Sequence, residues 1–149
     1  MNKGKKIHGF TLLELLVVIG IIGILAAIVI IAINPGRQFA QARNAQRWND
    51  VNAILNAVHQ YAVDNNGEVP AAITAVPTTV SNGGIDICDD LVGTTGIYVT
   101  AIPADPQTGS YTDCTTYNSG YQISQNATSG RVTVTAPSAE LTTTITVSR

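Results

Sequence analysis

Residues 9–34 read GFTLLELLVVIGIIGILAAIVIIAIN, and the placement of charge in and around this stretch decides how the chain is organised. From Leu15 to Ile33 no residue is charged, and Gly20 and Gly23 are the breaks in an apolar run. About 20 helical residues cross the hydrocarbon of a bilayer, so the run is long enough to span one. Lys3, Lys5 and Lys6, the only lysines in the chain, all precede it. By the positive-inside rule they hold the N-terminus in the cytoplasm and send Asn34 onward outside. A secretory signal peptide has a shorter core with a small-x-small cleavage site after it. Here Ala26-Ala27 lies inside the core, and an anchor is the better reading.

Glu14 needs its own explanation. It stands four residues into the apolar block that begins at Phe10, where a carboxylate costs up to about 3 kcal/mol at depth and less near the interface. A bland account lets it snorkel to water. The functional account gives it a partner cation. A cut between Gly9 and Phe10 creates an α-amine, and two staggered subunits then pair the amine of Phe10 on one with Glu14 on the other. The apolar setting strengthens that attraction.

The run Gly9-Phe10-Thr11-Leu12-Leu13-Glu14, between a short basic leader and an apolar helix, resembles the class III signal of type IV prepilins and type II secretion pseudopilins. The resemblance implies cleavage between Gly9 and Phe10 by a prepilin peptidase, N-methylation of Phe10, and guidance of filament assembly by Glu14. It also implies partners: identical subunits in a helical homopolymer, an inner-membrane assembly platform with its ATPase, and the membrane before assembly. The subunit is then expected as a single-pass protein of the inner membrane, N-terminus inside. After assembly it joins an extracellular filament at the cell surface or a periplasmic pseudopilus.

Beyond the anchor, Trp48, Val51, Leu55, Val58 and Ala62 recur at spacings of three and four, which predicts an amphipathic helix over Arg37 to Asp64. Its apolar stripe, Trp48 included, is expected under a sheet, and His59 at the surface or rim. Asn65-Asn66-Gly67 is the stop, with Gly able to take the left-handed C-terminal position. Pro35 disfavours helix at Asn34, so Asn34-Pro35-Gly36 is expected to kink or interrupt the helix, with Pro35 and Gly36 as the break.

After Gly67 the residues turn β-branched and polar. Strands are expected at Ile97–Ile102, Tyr121–Ser124, Arg131–Thr135 and Thr143–Val147, with Pro70 to Gly84 a loop. The expectation is an α+β fold: a long N-terminal helix, anchor plus amphipathic half, packed on a small antiparallel sheet of three to four strands. Its segments are a leader at 1–9, an anchor or filament-core helix at 10–33, an amphipathic helix at 34–66 and a head at 67–149. Two further stretches resemble major pseudopilins: Tyr61 with Asp64-Asn65-Asn66-Gly67 and Pro70, and Pro103-Ala104-Asp105-Pro106 with Thr108-Gly109 and Tyr111.

Cys88 and Cys114 are the only cysteines. Outside the cytoplasm a disulfide between them is expected, two buried thiols being the alternative. Such a bridge brings Asp86, Asp89 and Asp90 toward Asp105 and Asp113, a candidate oxygen set for Ca²⁺ without EF-hand spacing. No other cofactor is expected. Asn126-Ala127-Thr128 matches a glycosylation triplet of the kind that arises by chance in Thr-rich sequence.

Charged residues are 12% of the chain, and loss of three lysines with the leader takes the formal charge from -2 to about -5. That balance disfavours direct nucleic-acid binding, which needs clustered cations. No nucleophile with a placed base, metal-ligand spacing or phosphate loop is present, so an enzyme is not expected. The expected function is that of a structural subunit, a major pilin of a type IV pilus-like filament. The alternative is a pseudopilin of a type II secretion or competence DNA-uptake machine. A monomeric membrane-anchored binding protein is a remoter alternative.

Overall fold

The computed structural model describes residues 9–93 and 97–149. The expected leader, apart from Gly9, lies outside the described residues. The chain divides into two compact units, Met1–Gln38 and Phe39–Arg149.

The first unit contains α1 (Leu12–Ile33). None of its residues is buried, and it is long and apolar enough to cross a membrane. Thr11 caps it, and Asn34 closes it in a left-handed conformation, φ 48°. The interruption is therefore narrower than the triplet Asn34-Pro35-Gly36. Helix α2 (Pro35–Asp64) already begins at the proline. Proline suits the first helical position, where its missing N–H would be unpaired anyway, and Gly36 follows inside the helix. Asn34 also accepts from the Arg37 N–H through its backbone oxygen, at 3.1 Å.

The head unit takes in α2 from Phe39 onward together with a five-stranded antiparallel sheet. Its strands are β1 (Thr78–Ser81), β2 (Ser110–Asp113), β3 (Thr116–Gln125), β4 (Val132–Ala136) and β5 (Ile145–Ser148). The order is β1-β3-β4-β5, with β2 also paired to β3. A short α3 (Cys88–Leu91) lies between β1 and β2. On β3, Tyr117, Ser119, Tyr121 and Ile123 alternate inward, as a half-buried strand requires. They meet Val51, Ile54, Leu55 and Val58 of α2, with Val80, Val132, Val134 and Ile145, in one core. Full burial of such an aliphatic side chain contributes about 1.5–3 kcal/mol. The helix ends where Gly67, φ 92°, donates its N–H to Ala62 O at 2.7 Å.

Three expectations are corrected. Ile97–Ile102 is not a strand: the N–H groups of Tyr98 and Val99 both reach back to Leu91 O. The Tyr98 ring packs edge-on against Tyr61 and its hydroxyl donates to Asp64 at 2.9 Å. Contact with the end of α2 outweighs the β-branched propensity of the segment. Within the expected loop Pro70–Gly84, Thr78–Ser81 pairs with β3 and buries Val80, giving five strands where three to four were expected. Trp48, expected under the sheet, is 40% exposed, and the neighbouring Arg47 is the side chain that goes inside.

Candidate functional site

The expected cut site, Gly9-Phe10, and Glu14 lie at the start of α1. Phe10 is 84% exposed, and among the described residues nothing stands within 4 Å of the position a Cβ on Gly9 would take. Thr11 and Glu14 form a reciprocal capping box. The Glu14 N–H donates to Thr11 Oγ1 at 3.2 Å, while Glu14 Oε2 accepts from the Thr11 N–H at 2.8 Å and from its hydroxyl at 2.9 Å. Two orphan donors of the first turn are satisfied, and the negative charge sits at the positive end of the helix dipole. Both bonds end on Oε2, so among the described residues Oε1 has no donor. That oxygen can accept a cation from another chain while the cap stays closed. Thr-x-x-Glu ahead of an apolar run is a capping signature legible in the sequence, and reading Glu14 only as an assembly residue overlooked it.

A second polar cluster organises the base of the head. Arg47 is fully buried. Its Nε donates to Asp105 Oδ2 at 2.6 Å, and Nη2 to Gln107 Oε1 at 2.7 Å and Asp105 Oδ1 at 3.3 Å. Nη1 donates to Asn44 Oδ1 at 3.0 Å and Glu140 Oε2 at 2.9 Å. Arg43 grips the same Glu140 with two bonds of 2.7 Å. Asn44 exchanges two more with the backbone of Glu140, at 2.8 and 3.0 Å. Burial alone would raise the Asp105 carboxyl. The Arg47 guanidinium, then the N–H groups of Gln107 and Thr108, outweigh it and hold the group at about 2. Glu140 is likewise held at about 2, first by its bonds to Arg43. One turn along α2, Tyr121 donates its hydroxyl to Asp50 at 2.7 Å. Burial first, then Asp50, pushes the Tyr121 hydroxyl up, so the phenol stays a donor.

This cluster explains the loop motif around Asp105. A Cβ on Gly109 would stand 2.6 Å from Ser119 O. Gly120 has φ 75°, and a Cβ there would meet Asp105 Cβ and Thr108 Oγ1 at 2.9 Å. Glycine at both positions lets the loop close onto β3 and aim Asp105 at Arg47. The sequence admitted this arrangement without requiring it, since Trp48 stands three residues before Val51 and Arg47 four. Counting back four from Val51, the buried stripe reaches position 47, where an arginine requires a buried anion.

Cys88 and Cys114 are joined by a disulfide with Cα atoms 5.3 Å apart, tying α3 to the turn between β2 and β3. The acidic groups near it serve local structure. Asp86 accepts from the Tyr117 hydroxyl at 2.7 Å, and Asp113 from the N–H groups of Thr115 and Thr116, each at 2.9 Å. Asp90 is pushed up by burial and then by its neighbours Asp89 and Asp86. Asp105 is committed to Arg47. The five carboxylates weighed for Ca²⁺ are thus not brought together. Among the described residues no group of three or more Asp, Glu, His or Cys side chains is placed to hold a metal ion. His59 is half-buried, and among the described residues its enclosed Nε2 has no hydrogen-bond partner.

A capped apolar N-terminal helix and a head built of helix on antiparallel sheet define a pilin-like subunit. The family described as a prokaryotic N-terminal methylation motif matches residues 4–33. The type II secretion system core protein G of Escherichia coli is 32% identical over 111 residues, 74% of this chain and 74% of the relative. Its namesakes from Aeromonas hydrophila and Vibrio cholerae are 41% and 39% identical over 66 residues, 44% of each chain. No solved structure matches the chain. The chain belongs to the type II secretion system core protein G family.

Proposed function

We propose that this chain is a pseudopilin: a structural, non-catalytic subunit that a prepilin peptidase cuts between Gly9 and Phe10 and methylates at Phe10. The subunit then polymerises through its N-terminal helix into a periplasmic pseudopilus of a type II secretion machine. The observation that carries this reading is the reach of the similarity, whose 111 residues cover 74% of the chain and so extend well beyond the leader and anchor into the head. The leader motif alone is shared by pili and pseudopili. The type IV pilus subunit, first expected from that motif, is accordingly the less supported reading.

In the membrane the subunit is a single-pass protein, N-terminus inside, waiting for the assembly platform and its ATPase. Cleavage supplies the Phe10 ammonium, and the open Oε1 of Glu14 on a neighbouring copy receives it. Each charge removes the other's reason to stay in water. Complementation of a strain lacking core protein G tests the machine: restored export of the machine's cargo is expected, and continued retention of cargo counts against the reading. Mass spectrometry of the mature chain should find N-methyl-Phe10. Glu14→Ala should still be cut yet leave no pelletable polymer; normal fibres from that variant would refute the role of Glu14.

A further inference from the structure

The base of the head exposes apolar groups that its core does not use. Phe39, the first residue of the head unit, is 64% exposed, and Leu141 is 43% exposed. Phe39 and Arg43 are four residues apart on α2 and stand one above the other on the same helix face. Arg43 holds Glu140, and Leu141 follows directly in the chain. Both apolar side chains therefore belong to the end of the head from which α2 leads back toward the anchor.

Leu141 is held there by a strained turn. Leu141 and Thr142 are consecutive left-handed residues, φ 58° and 54°. For a β-branched residue this is a true outlier, kept only where the surroundings over-determine it. They do so here: Arg43, Arg47 and Asn44 all fix Glu140, and the Thr143 N–H donates to Glu140 O at 3.2 Å. Leu141, though fixed, leaves 43% of its surface exposed, area that an apolar cover in the working protein would bury.

The chain path names the cover. Phe39 lies six residues along the chain from Ile33, the end of α1. As helix they rise about 9 Å and fully extended about 20 Å, so Phe39 stays near the bilayer surface whatever the turn at Asn34. A helical phenylalanine also leans toward its own N-terminus, that is, toward the anchor. The charges agree. From Leu15 to Asn49 the chain has no carboxylate, and Arg37 lies outside the ion pairs that engage Arg43 and Arg47.

We propose that before assembly the base of the head rests on the phospholipid surface, with Phe39 and Leu141 in the headgroup zone and Arg37 on lipid phosphate. Aromatic and basic side chains are the usual interfacial anchors. The proposal rests on the membrane-anchored reading above and adds where the head sits.

The chain has one tryptophan, Trp48, which serves as a movable probe. The full-length precursor carrying Trp48→Phe with either Phe39→Trp or Leu141→Trp is placed in vesicles of phosphatidylethanolamine and phosphatidylglycerol. The same lipids brominated high on the acyl chain act as quenchers. Emission from positions 39 and 141 should fall about twofold on bromination, as expected of an interfacial indole, while wild-type Trp48 changes little. Equal emission in both vesicles overturns the proposal. So does shielding that grows only with the protein-to-lipid ratio, which would assign the patch to a second copy. Phe39→Trp alters an exposed helix position, so it decides the matter should Leu141→Trp fail to form the Cys88–Cys114 bond. Flotation separates the two readings: protein that floats unquenched refutes only the docked head, and protein that does not float refutes the anchor as well.

Discussion

Replacing Arg47 with methionine fills a similar volume but removes a guanidinium that makes hydrogen bonds to Asp105, Gln107, Asn44 and Glu140. The chief damage is to Asp105, whose side chain is 1% exposed and loses its counter-ion. Breaking one side of a buried pair costs about 3–5 kcal/mol, because the remaining charge stays uncompensated. In a head unit of roughly 110 residues, each kcal/mol lowers the melting temperature by about 4 °C, so a fall of about 12–20 °C is expected. Thermal unfolding of the full chain in detergent, disulfide intact and followed by near-ultraviolet circular dichroism, reads the temperature, and urea unfolding reads the free energy. The acid limb gives the sign. Asp105 is depressed from its ordinary 3.8 to about 2, so its contribution is fully present above pH 4 and lost as pH falls toward 2. That contribution is up to about 2 kcal/mol, less what solvent screening removes. In Arg47→Met burial acts on Asp105 without its cation, and protonation brings relief, so the gap from wild type narrows on acidification. Adding Asp105→Asn should recover at least about 1 kcal/mol. A single-variant loss below about 1 kcal/mol, or a double variant worse than the single, would refute the reasoning.

Cys88→Ser or Cys114→Ser opens a loop with sequence separation 26. By the chain-entropy estimate it should lower head stability by about 3–4 kcal/mol, read from the urea midpoint; an unchanged midpoint would contradict the staple. Gly120→Ala puts a methyl group 2.9 Å from Asp105 Cβ at φ 75°, so a loss of about 2 kcal/mol is expected. If that loss persists undiminished in the Arg47→Met background, Gly120 does not act by aiming Asp105.

The parts of the molecule that follow from local chemistry were legible in the chain. An uncharged run after three lysines dictates an anchor wherever it is placed, because lipid and water partition residue by residue. The stop at Asn65-Asn66-Gly67, and strands at β4 and β5, follow from backbone preferences acting over a few residues. The same is true of the capping bond of Glu14, which Thr-x-x-Glu already encodes. Glu14 as a pairing residue stands differently: its reason is an α-amine that exists only after a cut, so the motif speaks to it and the folded chain does not.

Tertiary structure alone decided which neighbour won where two were locally equal. Trp48 and Arg47 are adjacent on α2, and a period of 3.6 admits either to the stripe. The loop carrying Asp105 and the turn carrying Glu140 settle the choice, because a paired guanidinium can be buried and the indole can remain at the surface. Ile97–Val99 has the composition of a strand yet folds back on Leu91, since Tyr61 and Asp64 offer Tyr98 a ring and an acceptor that no sheet edge supplies. Periodicity reports how a residue relates to its own element. Which element covers it, and with what charge, is fixed by residues about 60 and 90 positions away, and pairing at that range enters only when the chain closes on itself.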